Sequence, residues 1–288
     1  MKRAALRQIH NLYTQGVNIA EYLREETATT EDILISYDLQ AGAYMKAYCD
    51  DPTFRNAYSL ALARVLEGLD VQGSLLEVGV GEATTLGPLL RAMPKRFNAA
   101  YGFDISWSRI KYARQMMAKL GVGATLFVGD LFSIPLKDSS IDIVYTSHSI
   151  EPNGGREAEA LAELYRITGR YLVLLEPCYE LANKEARARM KKHGYITRLF
   201  DAAKQYEVIE HRLFDLSANP LNPTGLTIIR KGESFDPRDP LCCPVTKAPI
   251  AKMGDAYYST ESMLAYPVIG GIPCLLPENA VIATKFLN

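Results

Sequence analysis

Apolar residues along this chain follow two rhythms, and the points where one gives way to the other divide it in three. Over residues 1–72 they recur at helical spacing. Residues 4–26 read as an amphipathic helix, 54–69 as another, and 31–44 as a third that carries Tyr37 and Tyr44. From 73 to 232, short apolar runs alternate with helical stretches, the pattern of a parallel sheet with crossover helices. Runs at 75–78, 101–104, 124–131, 139–148 and 170–177 read as strands. Helices are expected at 83–91, 156–168, 181–192 and 198–205, and two more strands at 206–216 and 224–230. A polar, proline-bearing linker at 232–240 then opens a last segment, 233–288.

The turn after the first strand carries chemistry. Leu75-Leu76-Glu77-Val78 runs into Gly79-Val80-Gly81-Glu82-Ala83-Thr84, and the next strand ends at Asp104. Glycine lets a backbone approach a ligand closely, and an acid ending the second strand can accept hydrogen bonds from both ribose hydroxyls. An adenosine-containing cofactor is therefore expected. A dinucleotide fingerprint needs a third glycine where Thr84 stands, and a pyrophosphate wants a helix start free of negative charge. Glu77 and Glu82 would repel phosphate and suit a ligand bearing an amino group. S-adenosylmethionine, with a sulfonium, an ammonium and no phosphate, fits these requirements.

These residues resemble the first motif of class I methyltransferases, with Ala83 in place of the last glycine. Residues 124–131 extend the likeness, ending in Gly129-Asp130-Leu131, and Asp142 matches the acid that opens the family's fourth strand. The resemblance implies a seven-stranded, doubly wound, Rossmann-like α/β sheet with N-terminal helices. It further implies S-adenosylmethionine as cofactor and S-adenosylhomocysteine as product. In that family, Glu77, Gly79, Gly81, Asp104, Ile105 and Ser147 would hold the cofactor. Asp130 would take the adenine amine, with the Leu131 amide meeting the ring. The 31–44 segment is similar to one that small-molecule methyltransferases fold over the cofactor, placing Tyr44 there; packing of Tyr37 and Tyr44 in a helix face is the alternative.

Acceptor chemistry is expected after the fourth strand, in Ser147-His148-Ser149-Ile150-Glu151-Pro152-Asn153. His148 has the pKa range of a general base for a hydroxyl acceptor, although single histidines are commonly structural. Glu151 and Asn153 can bind acceptor hydroxyls or simply start the following helix. The Asn-Pro-Pro-Tyr-like motif of enzymes that methylate amino groups on bases is absent, which argues against that chemistry.

Composition narrows the setting. The chain has 288 residues, 48% hydrophobic and 23% charged, with a net charge of −1, which is globular and leaves no overall basic footprint for nucleic acid. No run approaches the roughly 20 apolar residues of a membrane span. The start is basic without an apolar signal core, and the five cysteines lack framework spacing, so a reducing cytoplasm is expected.

The last segment resembles a small zinc-ribbon family that includes a methyltransferase activator subunit, most closely through Tyr266-Pro267 and Gly271-Ile272-Pro273 to Leu275-Leu276-Pro277. Zinc wants four Cys or His ligands, commonly as paired Cys-x-x-Cys turns. Here Cys243 keeps one position, Thr246 replaces its partner, Ser259 falls near a third, and there is no second cysteine pair. A metal-free ribbon docked on the rest of the chain is expected, with Cys274 in the core, and no metal ligand is assigned. The implied organisation is a helical cap at 1–72, a cofactor-binding core at 73–232 and the ribbon-like domain at 233–288.

Three functions fit these features. One is O-methylation of a small molecule or saccharide. A second is tRNA methylation, for which Arg187, Arg189, Lys191, Lys192 and Arg198 would supply a basic rim. The third is a non-catalytic partner that binds the cofactor. The acceptor, the methylated atom and the oligomeric state, a homodimer included, stay open.

Overall fold

The computed structural model describes residues 2–23, 29–69, 71–232 and 239–287. The end of the first expected helix and most of the expected linker lie outside those residues. At the centre is a seven-stranded sheet. Its parallel members are β1 (Gly73–Val78), β2 (Phe97–Asp104), β3 (Thr125–Val128), β4 (Ile141–Ser147) and β5 (Thr168–Pro177). The hairpin of β6 (Glu207–Leu213) and β7 (Thr224–Arg230) completes it. The order is β3-β2-β1-β4-β5-β7-β6, with β7 antiparallel to both neighbours. Consecutive Leu75 and Leu76 on β1 are both fully buried, as are Val144 and Tyr145 on β4. Both sheet faces are therefore covered, which is why these strands read as unbroken apolar runs. The chain winds outward from β1 to β3 and returns to β4, opening a crevice at the carboxyl ends of β1 and β4.

Helices α5 (Thr53–Gly68), α6 (Leu86–Ala92) and α7 (Trp107–Leu120) cover one face. Leu62, Leu66, Leu86, Leu89 and Ile110 form the core there with Leu75 and Ile143. On the other face, α8 (Glu157–Ile167) and α10 (Leu199–Ala203) bury Leu161, Leu164 and Ala203 against Leu76, Val144 and Leu172. The intervening α9 (Lys184–Lys192) starts on an Asn183 cap whose side chain accepts the Ala186 amide. Asp142 accepts from the Ser74 amide and hydroxyl and pairs with Arg170, tying the start of β4 to β1.

Helical periodicity overruns where glycine breaks it. The 4–26 stretch divides into a 3₁₀ turn at Lys2–Ala5, α1 (Leu6–Thr14) and α2 (Ile19–Leu23). Between the last two, Gly16 takes φ +86°. The 31–44 stretch is two helices, α3 (Thr30–Leu39) and α4 (Ala43–Asp50), separated at Gly42 with φ +99°. A side chain at 42 would be strained and would also run into the Tyr112 ring, so glycine is required at this corner. A Thr29–Asp32 capping box starts α3. Helix α6 begins at Leu86, three residues after the expected Ala83, because Ala83 belongs to the turn with φ +56°. Alanine thus adopts a left-handed geometry, a conformation costing an L-residue about 1–2 kcal/mol.

The C-terminal segment is an antiparallel sheet of β8 (Ala251–Met253), β9 (Ala256–Ser259), β10 (Leu264–Ile269), β11 (Ile272–Pro273) and β12 (Val281–Ile282). It packs against the open edge of the large sheet. The Leu275 amide donates to the Val128 carbonyl at 2.9 Å, giving a parallel bridge between Cys274 and β3. Trp107 Nε1 and Arg114 on α7 donate to the carbonyls of Ile269 and Gly270. Leu241 bridges Leu136, and the Lys137 amide donates to the Pro240 carbonyl. An otherwise unpaired β3 edge is thereby covered, which protects it against pairing with another chain.

Candidate active site

The crevice holds a pocket of about 320 Å³. Glu77, Gly79, Gly81, Asp104, Ile105, Asp130, Leu131, Ser147, His148 and Tyr44 all line it. The strands account for this convergence: β1, β2, β3 and β4 run parallel and end at the same side.

Gly79 and Gly81 turn the chain with φ +67° and +53°. A Cβ at Gly79 would sit 2.3 Å from that of Ser149, so only glycine fits between the two strand ends. Asp104 closes the turn by accepting the Gly81 amide at 3.0 Å and the Ser106 amide at 2.9 Å. Each oxygen uses one lone pair in this way and keeps another. Burial raises the Asp104 pKa, against the lowering effect of Arg109 and these two amides. Asp130 accepts the Phe132 amide on one oxygen, and burial raises its pKa too. Glu77 lies beneath the turn, takes a 2.9 Å bond from the Tyr145 hydroxyl, and is pushed up to about 8 by burial.

Glu82 has a different place from the one its position in the sequence suggests. Rather than facing a ligand as free charge, it is buried and caps α4, accepting the Gly42 amide at 2.9 Å and the Met45 amide at 2.6 Å. The carboxylate meets the positive end of that helix and is offset there. It joins the N-terminal helices to the glycine turn. Asp38 adds a second tie, accepting from the hydroxyls of Ser106 and Ser108.

Arg109 is a pocket residue the sequence left unmarked. Its guanidinium lies between the Tyr37 and Tyr44 rings, 4.7 and 4.5 Å from their centroids. Nε donates to the Tyr37 carbonyl, while Nη2 is buried without a protein partner. The two tyrosines thus hold a cation against the pocket, and Tyr44 remains 40% exposed at its outer side. No helical-spacing signal pairs an arginine on α7 with tyrosines some 70 residues earlier.

The opposite wall is polar. His148 sits at φ +56° just beyond β4, its amide bonded to the Leu175 carbonyl. Nδ1 is 2.6 Å from Glu151, and Nε2 is 2.8 Å from the Thr224 hydroxyl. Burial alone would lower the imidazole pKa, but the Glu151 bond and charge, with Glu176 behind, raise it above the ordinary value. Glu176 accepts the amides of Ser149, Ile150 and Glu151, and burial pushes it up to about 7. Asn222 donates to Glu151, while its buried Oδ1 has no partner. Asn153 and Asn219 also face the pocket, and Tyr58 bonds Ser147 at 3.2 Å. Asn219 and Asn222 come from 217–223, which the strand pattern marks only as the gap before the last strand, and Thr224 opens that strand.

In the C-terminal segment, the positions that the sequence resemblance marks for a metal hold one thiol and hydroxyls. Cys243 Sγ accepts the Thr246 amide at 3.4 Å and lies 3.1 Å from the Tyr266 hydroxyl and 3.8 Å from Ser262 Oγ. Ser259, near the third position, accepts the Ser262 amide at Oγ. This donor set does not suit zinc, which wants thiolate, imidazole or carboxylate.

Residues 75–170 match the family model described as Methyltransferase domain. An uncharacterized 37.1 kDa protein in a transposon of Streptomyces fradiae is 30% identical over 138 residues, 46% of this chain; the chain spans 39% of that protein's length. Among solved structures, a chain from the Haloferax volcanii complex between a methyltransferase activator and a methyltransferase superposes with a TM-score of 0.50. It shares 19% identity, over 68% of this chain and 98% of that one. Magnesium protoporphyrin IX methyltransferase from Synechocystis, with bound S-adenosylhomocysteine, gives 0.49 at 12% identity, over 78% and 99%. The Haloferax likeness speaks to the fold alone; the domain match covers strands that build the pocket. Residues 75–170, a third of the chain, are thus similar to a methyltransferase domain, and they carry the glycine turn, Asp104, Asp130 and His148.

Proposed function

We propose that the chain uses S-adenosylmethionine to methylate a hydroxyl oxygen of a small polar acceptor, of the saccharide or phenol class. The observation that carries this reading is one pocket with a glycine turn and Asp104 at one side and the His148–Glu151–Thr224 wall at the other. When bound, the cofactor supplies an electrophilic methyl group on sulfur. Gly79 and Gly81 let the backbone approach it, and the spare lone pairs of Asp104 accept the ribose hydroxyls. Asp130 and the Leu131 amide receive the adenine edge, with Ile105 and Ser147 flanking. Arg109 Nη2 pairs with the carboxylate of the amino acid end, which satisfies a buried donor otherwise unmatched.

On the acceptor side, the Glu151 bond at Nδ1 leaves His148 Nε2 to receive a proton. An acceptor hydroxyl takes the place of the Thr224 hydroxyl at Nε2. Asn222 Oδ1 supplies a further acceptor for a polyol. The helices folded over the turn favour a small acceptor over a tRNA surface. Arg187 also spends its donors on the Tyr179 and Glu180 carbonyls, which weakens a basic rim there. We read the C-terminal segment as a metal-free ribbon that acts in cis by covering the β3 edge.

The test is calorimetry with S-adenosylmethionine, then a labelled-methyl screen of sugars, phenols, amines and tRNA with S-adenosylhomocysteine release as readout. Asp104→Ala should lose the cofactor, and label should enter an ether linkage. Label in tRNA alone, or in an amine, would overturn the acceptor assignment. Cofactor binding with no turnover on any acceptor would leave the partner-protein reading.

A further inference from the structure

Three donor side chains converge on the far side of the sheet from the pocket. Cys178 follows β5, Glu180 lies two residues on, and His211 comes from β6. Their ligand atoms all lie within 4.8 Å of one another. His211 Nε2 is 4.0 Å from Cys178 Sγ and 3.6 Å from Glu180 Oε1. We propose that Cys178, Glu180 and His211 form a site for a thiophilic divalent cation, zinc above all, that clips the β6–β7 hairpin to the end of β5.

The surroundings are built for this. His211 Nδ1 is 2.8 Å from the Thr227 hydroxyl on the neighbouring strand. A donor bond from Nδ1 leaves the Nε2 lone pair facing the thiol and carboxylate, the usual arrangement of a metal-ligating histidine. Phe200 stacks on the imidazole with centroids 3.6 Å apart and 11° between planes, fixing the ring. Gly225 makes room for the thiol: a Cβ there would meet Cys178 Cβ at 2.7 Å and Sγ at 3.0 Å.

Bond lengths of about 2.0–2.3 Å in a tetrahedral zinc site put neighbouring ligand atoms roughly 3.3–3.7 Å apart. The two histidine distances need only a few tenths of an ångström of adjustment, and Glu180, whose side chain is 32% exposed, can swing to close the third. A thiolate and a carboxylate also balance a divalent charge, so the filled site is electroneutral. The fourth position is left to water.

The location fits a structural clip. Thr224 faces the pocket, whereas Gly225 and Thr227 face this cluster, as alternate residues of a strand do. The metal would therefore brace the hairpin whose connection brings Asn219 and Asn222 to the acceptor wall, without touching the reacting atoms.

Cobalt(II) added to chelator-treated full-length protein is the direct probe. A thiolate-to-cobalt charge-transfer band in the near ultraviolet and one bound metal per chain are expected. Cys178→Ser should abolish the band. Thr227→Val, which keeps the three ligands, should weaken the metal about 10–100-fold, and His211→Ala by more. Cys243→Ser should leave band and stoichiometry unchanged. Melting curves separate unfolding from ligand loss, and half-buried Glu180→Gln should weaken the metal with the melting temperature of the metal-free protein unchanged. Wild-type protein without the band, or a band lost in Cys243→Ser but kept in Cys178→Ser, would overturn the assignment.

Discussion

Replacing Glu82 by alanine isolates what the N-terminal helices do for the pocket. The carboxylate accepts two amides at the start of α4, 2.9 and 2.6 Å away, and it is buried. Losing a charged acceptor leaves partners worth about 1.5–3 kcal/mol each in gross hydrogen bonding. Losing an ordinary helix cap costs about 0.5–2 kcal/mol. Water can reach the amides once the corner opens, so a net loss of about 2–3 kcal/mol is the reasonable figure for the closed arrangement. Because Gly42 and Tyr44 share this corner, the loss falls on the segment that sets Tyr44 against Arg109. Each 1.4 kcal/mol is tenfold, so S-adenosylmethionine affinity should fall by about 30-fold or more if the closed corner is the competent one. Glu82→Gln should be nearly as damaging, since its amide nitrogen would face a backbone donor. Hydrogen exchange should speed up across residues 37–50 and hardly change in β1 and β4. Unchanged exchange at 42–50, or unchanged affinity, would refute the latch.

Burial that holds Glu77 up to about 8, against 4.5 for a free carboxyl, makes the protein lose stability as pH rises. Between those values the native state keeps a proton that the unfolded chain has released, so the slope is negative, at most about 1.4 kcal/mol per pH unit. Urea unfolding from pH 5 to 8.5 should show it, and Glu77→Gln should reduce it, with Glu176 and His148 keeping a remainder of the same sign; an unchanged slope would assign the proton elsewhere. His148→Ala should lower kcat by about 100-fold or more with cofactor affinity unchanged. Wild-type kcat should rise with pH through a value above 6.5, because Glu151 raises the imidazole pKa; a flat profile with a loss under threefold would remove the base. Leu275→Pro deletes the amide bonded to Val128 and should cost about 1–3 kcal/mol in melting experiments, with aggregation following exposure of the β3 edge. An unchanged melting temperature would show that the bridge contributes little.

What could be read from the sequence depended on how local each cause is. The central strands were legible because burial on both faces forces continuous apolar runs, and the turn because Gly79 and Gly81 occupy left-handed geometry next to a strand end. Asp104 followed from spacing, since one parallel crossover brings it beside Gly81. The helices of the first 70 residues were overextended, because amphipathic periodicity continues across Gly16 and Gly42 while the backbone does not. The pocket's other half was out of reach for a different reason. Arg109 acquires its role from Tyr37 and Tyr44, and Asn222 from Glu151, each pair joined only by tertiary folding. Glu82 shows the same cause reversing a chemical inference: read along the chain it is negative charge offered to a ligand, yet in the fold the α4 amides have already taken it. The charge of a cationic ligand would therefore fall to Glu77, which burial holds up to about 8. Binding an ammonium beside it should consequently release a proton near neutral pH, a coupling visible as buffer-dependent heats in the same calorimetry that tests the cofactor. Heats independent of the buffer would mean that Glu77 keeps its protonation state when the ligand binds.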